Sequence, residues 1–254
     1  MAEAVYSLND FYLPRILEQR KKDMTDPKNI LYHFRVRGTG AEGVHIAGIV
    51  NGFRSLGYTV HLVSPTNIDP TIQSSKSHDP MNRNKFIISN MLHYLADTVP
   101  QPVFELMELA YNVFAIPKLI RNILMKKPDL IYERYAFFNF SGALVSRLMG
   151  KRLIVEVNEI SGHERVRRQS LKWLASFIER YIFRQATMII TVSDFLNSEI
   201  NTMIDFKNKI ITIPNGVLLE WLLSEPHHEK IEKLRLKNNL NGKKIICFIG
   251  GLVQ

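Results

Sequence analysis

The sequence predicts an α/β fold: a Rossmann-like parallel sheet flanked by helices. Three observations carry this expectation. Short strands apolar on both faces recur along the chain, helices separate them, and a glycine-rich loop joins the first strand to the first helix. Strands that are apolar on both sides need cover on both sides, and a parallel sheet wrapped by helices supplies it. With 254 residues, 46% of them hydrophobic, the chain can bury a full-sized core without staples.

Residues 1–28 read as a charged N-terminal extension. The first strand is expected over 29–34, then the glycine loop 38–43 and an amphipathic helix over 44–56. That helix sets Val44, Ile49, Phe53 and Leu56 near one face and ends at Gly57 as a C-cap. A second strand follows over 58–63, closed by Pro65. The stretch 66–100 is polar, with a short helix near 88–97. A long apolar helix spans 102–125 and is expected to break at Pro117, which lacks an N–H and crowds the preceding turn. Phe104, Met107, Tyr111 and Phe114 share one of its faces, which suits core packing.

The cadence then tightens. A strand at 129–132 leads to a helix at 138–149 ended by Gly150, and a strand at 152–157 to a basic helix at 164–184. The strand at 187–192 is followed by a helix to about 203, N-capped by Ser193 or Asp194. A strand at 209–213 closes the 29–217 domain. Asn215-Gly216 is a candidate hinge before an interdomain linker, 218–243, which is charged and helical from 227 to 238. A buried strand at 244–249 and Gly250-Gly251 then read as the start of a second lobe, 244–254, cut at its threshold.

The formal net charge of +9 and a pI near 9.6 favour anionic partners: nucleic acid, anionic lipid or phosphorylated small molecules. No RNA-recognition or zinc-finger signature is present, so no nucleic-acid partner is expected. The single cysteine, Cys247, excludes an intramolecular disulfide and reads as a packed thiol. Without a signal-peptide pattern or a spanning apolar run, the expectation is a cytoplasmic protein, with peripheral contact to an anionic membrane as the sharper alternative.

Gly38-Thr39-Gly40-Ala41-Glu42-Gly43 matches G-x-G-x-x-G, which raises a dinucleotide-binding oxidoreductase. Two details disfavour it. Arg35-Val36-Arg37 separates the strand from the first glycine, and the second strand ends in His61-Leu62-Val63-Ser64-Pro65 without an acid for a ribose hydroxyl. A more general anion site survives, because amides and the positive end of a helix dipole collect at such a turn. A turn that needs glycine for its backbone angles alone is the plainer alternative.

Taken with Leu56-Gly57-Tyr58-Thr59-Val60, Pro128-Asp129-Leu130-Ile131-Tyr132, Thr191-Val192-Ser193 and Ile213-Pro214-Asn215-Gly216-Val217, the chain resembles the N-terminal half of a GT-B fold glycosyltransferase of family 4. The terminal Phe248-Ile249-Gly250-Gly251-Leu252 is similar to the opening of that family's donor-binding lobe. The resemblance implies a retaining, nucleotide-sugar-dependent hexosyltransferase acting on a glycan or lipid-linked acceptor in polysaccharide biosynthesis. It implies that Gly40, with Thr39 replacing the family's first glycine, meets the donor diphosphate, as would Gly250 and Gly251. It also implies that neither metal nor cofactor is needed and that the E-x7-E acidic pair lies in a second lobe. A lobe alone would be inactive.

Val155-Glu156-Val157-Asn158-Glu159 ends a central strand, where open α/β sheets place ligands. Many members of the resembled family carry histidine where this chain has Asn158, facing the transferred sugar; an amide there suits hydroxyl recognition and cannot shuttle a proton. Glu156 and Glu159 form an acidic pair of the kind more often found on a surface or at a cap, and His163 reads as an exposed loop residue. Arg134 and His45 are further candidates for the same crevice, ranked below Gly40. A non-catalytic interaction module with this fold stays open as a third alternative.

Overall fold

A computed structural model of the chain describes residues 29–36, 38, 40–72, 100–162, 169–204, 209–216, 228–240 and 242–244. Six strands form one sheet: β1 (Asn29–His33), β2 (Thr59–Val63), β3 (Leu130–Arg134), β4 (Arg152–Val157), β5 (Met188–Thr191) and β6 (Ile210–Thr212). Their order is β2-β1-β3-β4-β5-β6, and every pairing is parallel. The described helices are α1 (Gly40–Ser55), α2 (Gln101–Lys126), α3 (Ser141–Leu148), α4 (Lys172–Gln185), α5 (Asp194–Met203) and α6 (His228–Lys237). No described helix is long and apolar enough to cross a membrane.

Alternation along the strands builds two cores. Ile30 and Tyr32 of β1 join Ile46 and Val50 of α1 on one face of the sheet. Leu31 belongs to the other cluster, with Leu119 and Ile123 of α2 and with apolar residues of α3, α4 and α5. The chain runs outward from β1 to β2 and then crosses back to β3 on the other side of β1. The carboxyl ends of β1 and β3 therefore flank the switch point, where open α/β sheets leave a crevice for ligands.

The element boundaries differ instructively from expectation. The first helix starts at Gly40, four residues earlier than its apolar pattern suggests; Gly43, Ile46 and Val50 are buried and the expected Ile49 and Phe53 pack against that core, whereas Val44 and Leu56 are exposed. Gly43 is required by close approach, since a Cβ there would lie 2.4 Å from the Gly38 carbonyl oxygen. Helix α2 runs through Pro117 unbroken. Pro117 and Val113 both lie on its exposed side, where water can satisfy the Val113 carbonyl that loses its N–H partner. The face shared by Met107 and Phe114 points outward, and the buried stripe is Glu105, Asn112, Ala115, Leu119 and Ile123.

Helix α3 starts at Ser141, after the buried Phe137 and Phe138, and α4 starts at Lys172. The first turn of α4 has no side-chain cap of its own. Instead Glu105 of α2, 1% exposed, accepts the N–H groups of Ser170 (2.6 Å) and Leu171 (2.7 Å). For α5, Ser193 is the N-cap and its Oγ accepts the Leu196 N–H. The charged helix expected in the linker is α6. The extension 1–28, the short helix near 88–97 and most of the final strand lie outside the described residues.

Candidate functional site

Parallel pairing places the ends of all the strands at one edge, and β4 carries the centre of the site there. Glu156 faces the α1 side of the sheet, beside Tyr132 of β3 and Tyr32 of β1, and is 2% exposed. Its Oε1 accepts hydrogen bonds from Arg134 Nη1 (2.5 Å), Asn158 Nδ2 (2.8 Å) and His45 Nε2 (3.0 Å). Its Oε2 accepts from Tyr132 Oη (3.1 Å) and, more weakly, Tyr32 Oη (3.4 Å). Five side chains from α1, β1, β3 and the β4 end thus converge on one carboxylate.

Burial alone would push the Glu156 carboxyl up. The hydrogen bonds from His45 and Asn158 and the charge on Arg134 together outweigh it, and the net pKa lies below the usual glutamate value. Burial, and then the Glu156 charge, drives both tyrosine phenols well above their ordinary value, so they stay protonated donors. Arg134, Asn158 and His45 each give one N–H to Glu156 and keep further hydrogen-bonding capacity. The cluster holds a cation, an amide and an imidazole at the switch-point edge.

Four of the five expected acceptor-side residues, Glu156, Asn158, Arg134 and His45, therefore come together. The acidic pair does not. Glu156 sits inside β4 and is buried, whereas Glu159 is exposed on the following loop, because one strand end intervenes between them. Gly40 opens α1 with φ +64° and is exposed, the end of the helix where amides gather. His45 lies about one and a half turns further along the same helix. Asn215 and Gly216 are exposed beyond β6. Thr39, His163, Gly250 and Gly251 lie outside the described residues.

A second buried chain of polar groups was not anticipated from the sequence. His33 Nδ1 meets Glu133 Oε2 at 2.8 Å, and His33 Nε2 meets Tyr111 Oη of α2 at 3.2 Å. Arg35 pairs with Glu108 of α2 beside it. The signal available was positional, since His33 is the last residue of β1 and Glu133 the last but one of β3, at the switch point.

The fold and the clustered strand ends define a Rossmann-like lobe of the GT-B kind. The chain belongs to Glycosyltransferase Family 4, whose pattern matches residues 42–221. Among solved structures it is similar to a glycosyltransferase from Rickettsia africae, with 14% identity, a TM-score of 0.50, and coverage of 86% of this chain and 51% of that one. It is also similar to Anabaena HepE in complex with UDP-glucose, with 12% identity, a TM-score of 0.43 and coverage of 84% and 50%. A third likeness is to MnaA of S. aureus in complex with UDP, with 12% identity, a TM-score of 0.47 and coverage of 74% and 44%. The chain thus spans about half the length of these structures. No curated protein matches it.

Proposed function

We propose that this chain is the acceptor-side lobe of a nucleotide-sugar-dependent, retaining hexosyltransferase, acting on a glycan or lipid-linked acceptor in the cytoplasm. Membership of the family over 42–221 supports the reaction class. The observation that carries the site is the convergence of His45, Arg134 and Asn158 on Glu156. This cluster would orient sugar hydroxyls, with the amide end of α1 at Gly40 turned toward the donor diphosphate.

Departure of a nucleoside diphosphate needs positive charge, which we assign to helix ends and basic side chains instead of a metal or other cofactor. The domain would be 29–217, hinged at Asn215-Gly216 and joined by 218–243 to a donor-binding lobe that begins at 244, with turnover requiring that lobe. Release of UDP from UDP-sugars, assayed with the chain alone and with a supplied donor lobe, tests this. Turnover only in the mixture is expected. Full turnover by the chain alone would overturn the two-lobe reading, and quenching of NADH fluorescence on titration would favour an oxidoreductase.

Contact with an anionic membrane is a second part of the proposal. Val103, Leu106, Val113 and Phe114 of α2 are exposed, as are Trp173 and Phe177 of α4 beside Lys172 and Arg180. The Glu105 bonds to Ser170 and Leu171 bring the first turns of the two helices together.

A further inference from the structure

Glu156 is already saturated by its own neighbours. Three donors meet its Oε1 and two meet its Oε2, and at 2% exposure it has almost no surface to offer a ligand. Its influence on whatever binds at this edge therefore passes through the groups it holds. Arg134 ends β3, and Asn158 follows the last residue of β4. Both donate to the same oxygen, which sets them side by side.

The carboxylate decides which way round Asn158 sits. A side-chain amide can turn either its nitrogen or its oxygen toward a neighbour, whereas an ionised carboxylate accepts hydrogen bonds and gives none. The lowered pKa keeps Glu156 ionised at neutral pH. Nδ2 must then face it, as it does at 2.8 Å, and the amide oxygen is turned away. Among the described residues nothing donates to Asn158 Oδ1, and Asn158 is only half-buried. That oxygen can only accept. Arg134 has the opposite character, because a guanidinium only donates and Nη1 alone is committed to Glu156. The edge thus presents an acceptor beside a donor, and the guanidinium charge is matched by the buried carboxylate.

A group that docks against this pair must donate to Asn158 and accept from Arg134. A hydroxyl does both and brings no charge. A carboxylate or a phosphate could accept from Arg134, but its oxygens would then face the lone pairs of Asn158 Oδ1 and the charge of Glu156. The net charge of +9 belongs to the chain as a whole and does not decide the matter here, since Glu156 already neutralises Arg134.

We infer that the Glu156 cluster is a specificity filter that admits a neutral, hydroxyl-bearing sugar position and refuses an acidic one, such as the carboxylate of a uronic acid. This rests on the sugar-orienting role proposed for the cluster. Asn158 and Arg134 determine the specificity by contact, and Glu156 is the positioning residue that sets their polarity.

The test follows the side-chain N–H resonances of Asn158 and Arg134 in ¹⁵N–¹H spectra of the chain, at neutral pH and constant ionic strength. The neutral probes are the methyl glycosides of glucose, galactose and mannose; the anionic probes are acetate and inorganic phosphate. In the wild type these resonances should respond to a glycoside, and both anions should bind at least about 10-fold more weakly, the cost of leaving an acceptor without its donor. Glu156→Gln frees Arg134 and lets the Asn158 amide turn, so acetate should bind about 10-fold more tightly than to wild type. Asn158→Ala keeps the Arg134–Glu156 pair and keeps the test open should Glu156→Gln fail to fold. Followed at Arg134, it should lose the preference for the glycoside. Wild-type binding of either anion as tight as the best glycoside overturns the filter alone, as does an unchanged preference in Asn158→Ala. A folded Glu156→Gln chain that still refuses acetate overturns the positioning role of Glu156. No response to any glycoside overturns the sugar-orienting role and the filter with it.

Discussion

Tyr32 and Tyr132 lie opposite each other in adjacent parallel strands, their rings edge to face at 4.9 Å, and both donate to the same oxygen of Glu156. Two large aromatic side chains thus serve a buried charge and the apolar core at once. Removing the acceptor leaves these donors, and three more, without their partner. Glu156→Ala is expected to cost about 3–5 kcal/mol, as for breaking a buried ion pair. Urea unfolding with an unchanged m-value checks it.

The same carboxylate makes stability depend on acid. Its folded pKa is lowered, so its contribution is fully present above the unfolded value of about 4.3 and is lost as pH falls through the folded value. The stability gap between wild type and Glu156→Gln should be widest at neutral pH and close on acidification below that range. A gap that stays constant from pH 7 to pH 3 would refute this.

Asn158→Asp reverses the sign. It replaces the amide that donates to Glu156 Oε1 at 2.8 Å with a second carboxylate. Like charges so close raise the pair's affinity for a proton. The variant should be less stable than wild type at pH 7 and recover part of the difference near pH 4.5, measured by thermal unfolding at the two pH values.

Gly142→Ala forces an atom into the Glu133 carboxylate. Overpacking of this kind costs about 1–3 kcal/mol. Here the buried His33–Glu133 contact should loosen as well, giving a lower unfolding midpoint and a shifted His33 imidazole resonance.

Glu105→Gln tests the borrowed cap of α4. Hydrogen bonds to a charged acceptor are worth about 1.5–3 kcal/mol, and a neutral amide oxygen satisfies only part of that. Faster amide exchange at Ser170 and Leu171 than in the rest of α4 is the expected readout.

The six described strands, the helices between them and the strand-end edge at the switch point were legible in the sequence, because apolar runs and glycine punctuation record them directly. Glu156, Asn158, Arg134 and His45 were legible as separate candidates; their convergence on Glu156, together with Tyr32 and Tyr132, was not. Glu156 meets Tyr32 across 124 residues and His45 across 111, and only strand register decides that these side chains face one another. For the same reason His33 and Glu133, 100 residues apart, went unnoticed. The exposed Phe114 misled because spacing tells which residues share a helix face, and not which way that face looks.

The position of β1 between β2 and β3 bears on how the chain assembles. It is among the first described residues to leave the ribosome, yet the Asn29 N–H is met by Asp129, 100 residues later. Synthesis at about 5–20 residues per second takes seconds to deliver β3, so the nascent strand waits that long flanked on one side only. Until then its Ile30-Leu31-Tyr32 run keeps one unpaired edge, the kind of transiently exposed segment that chaperones cover.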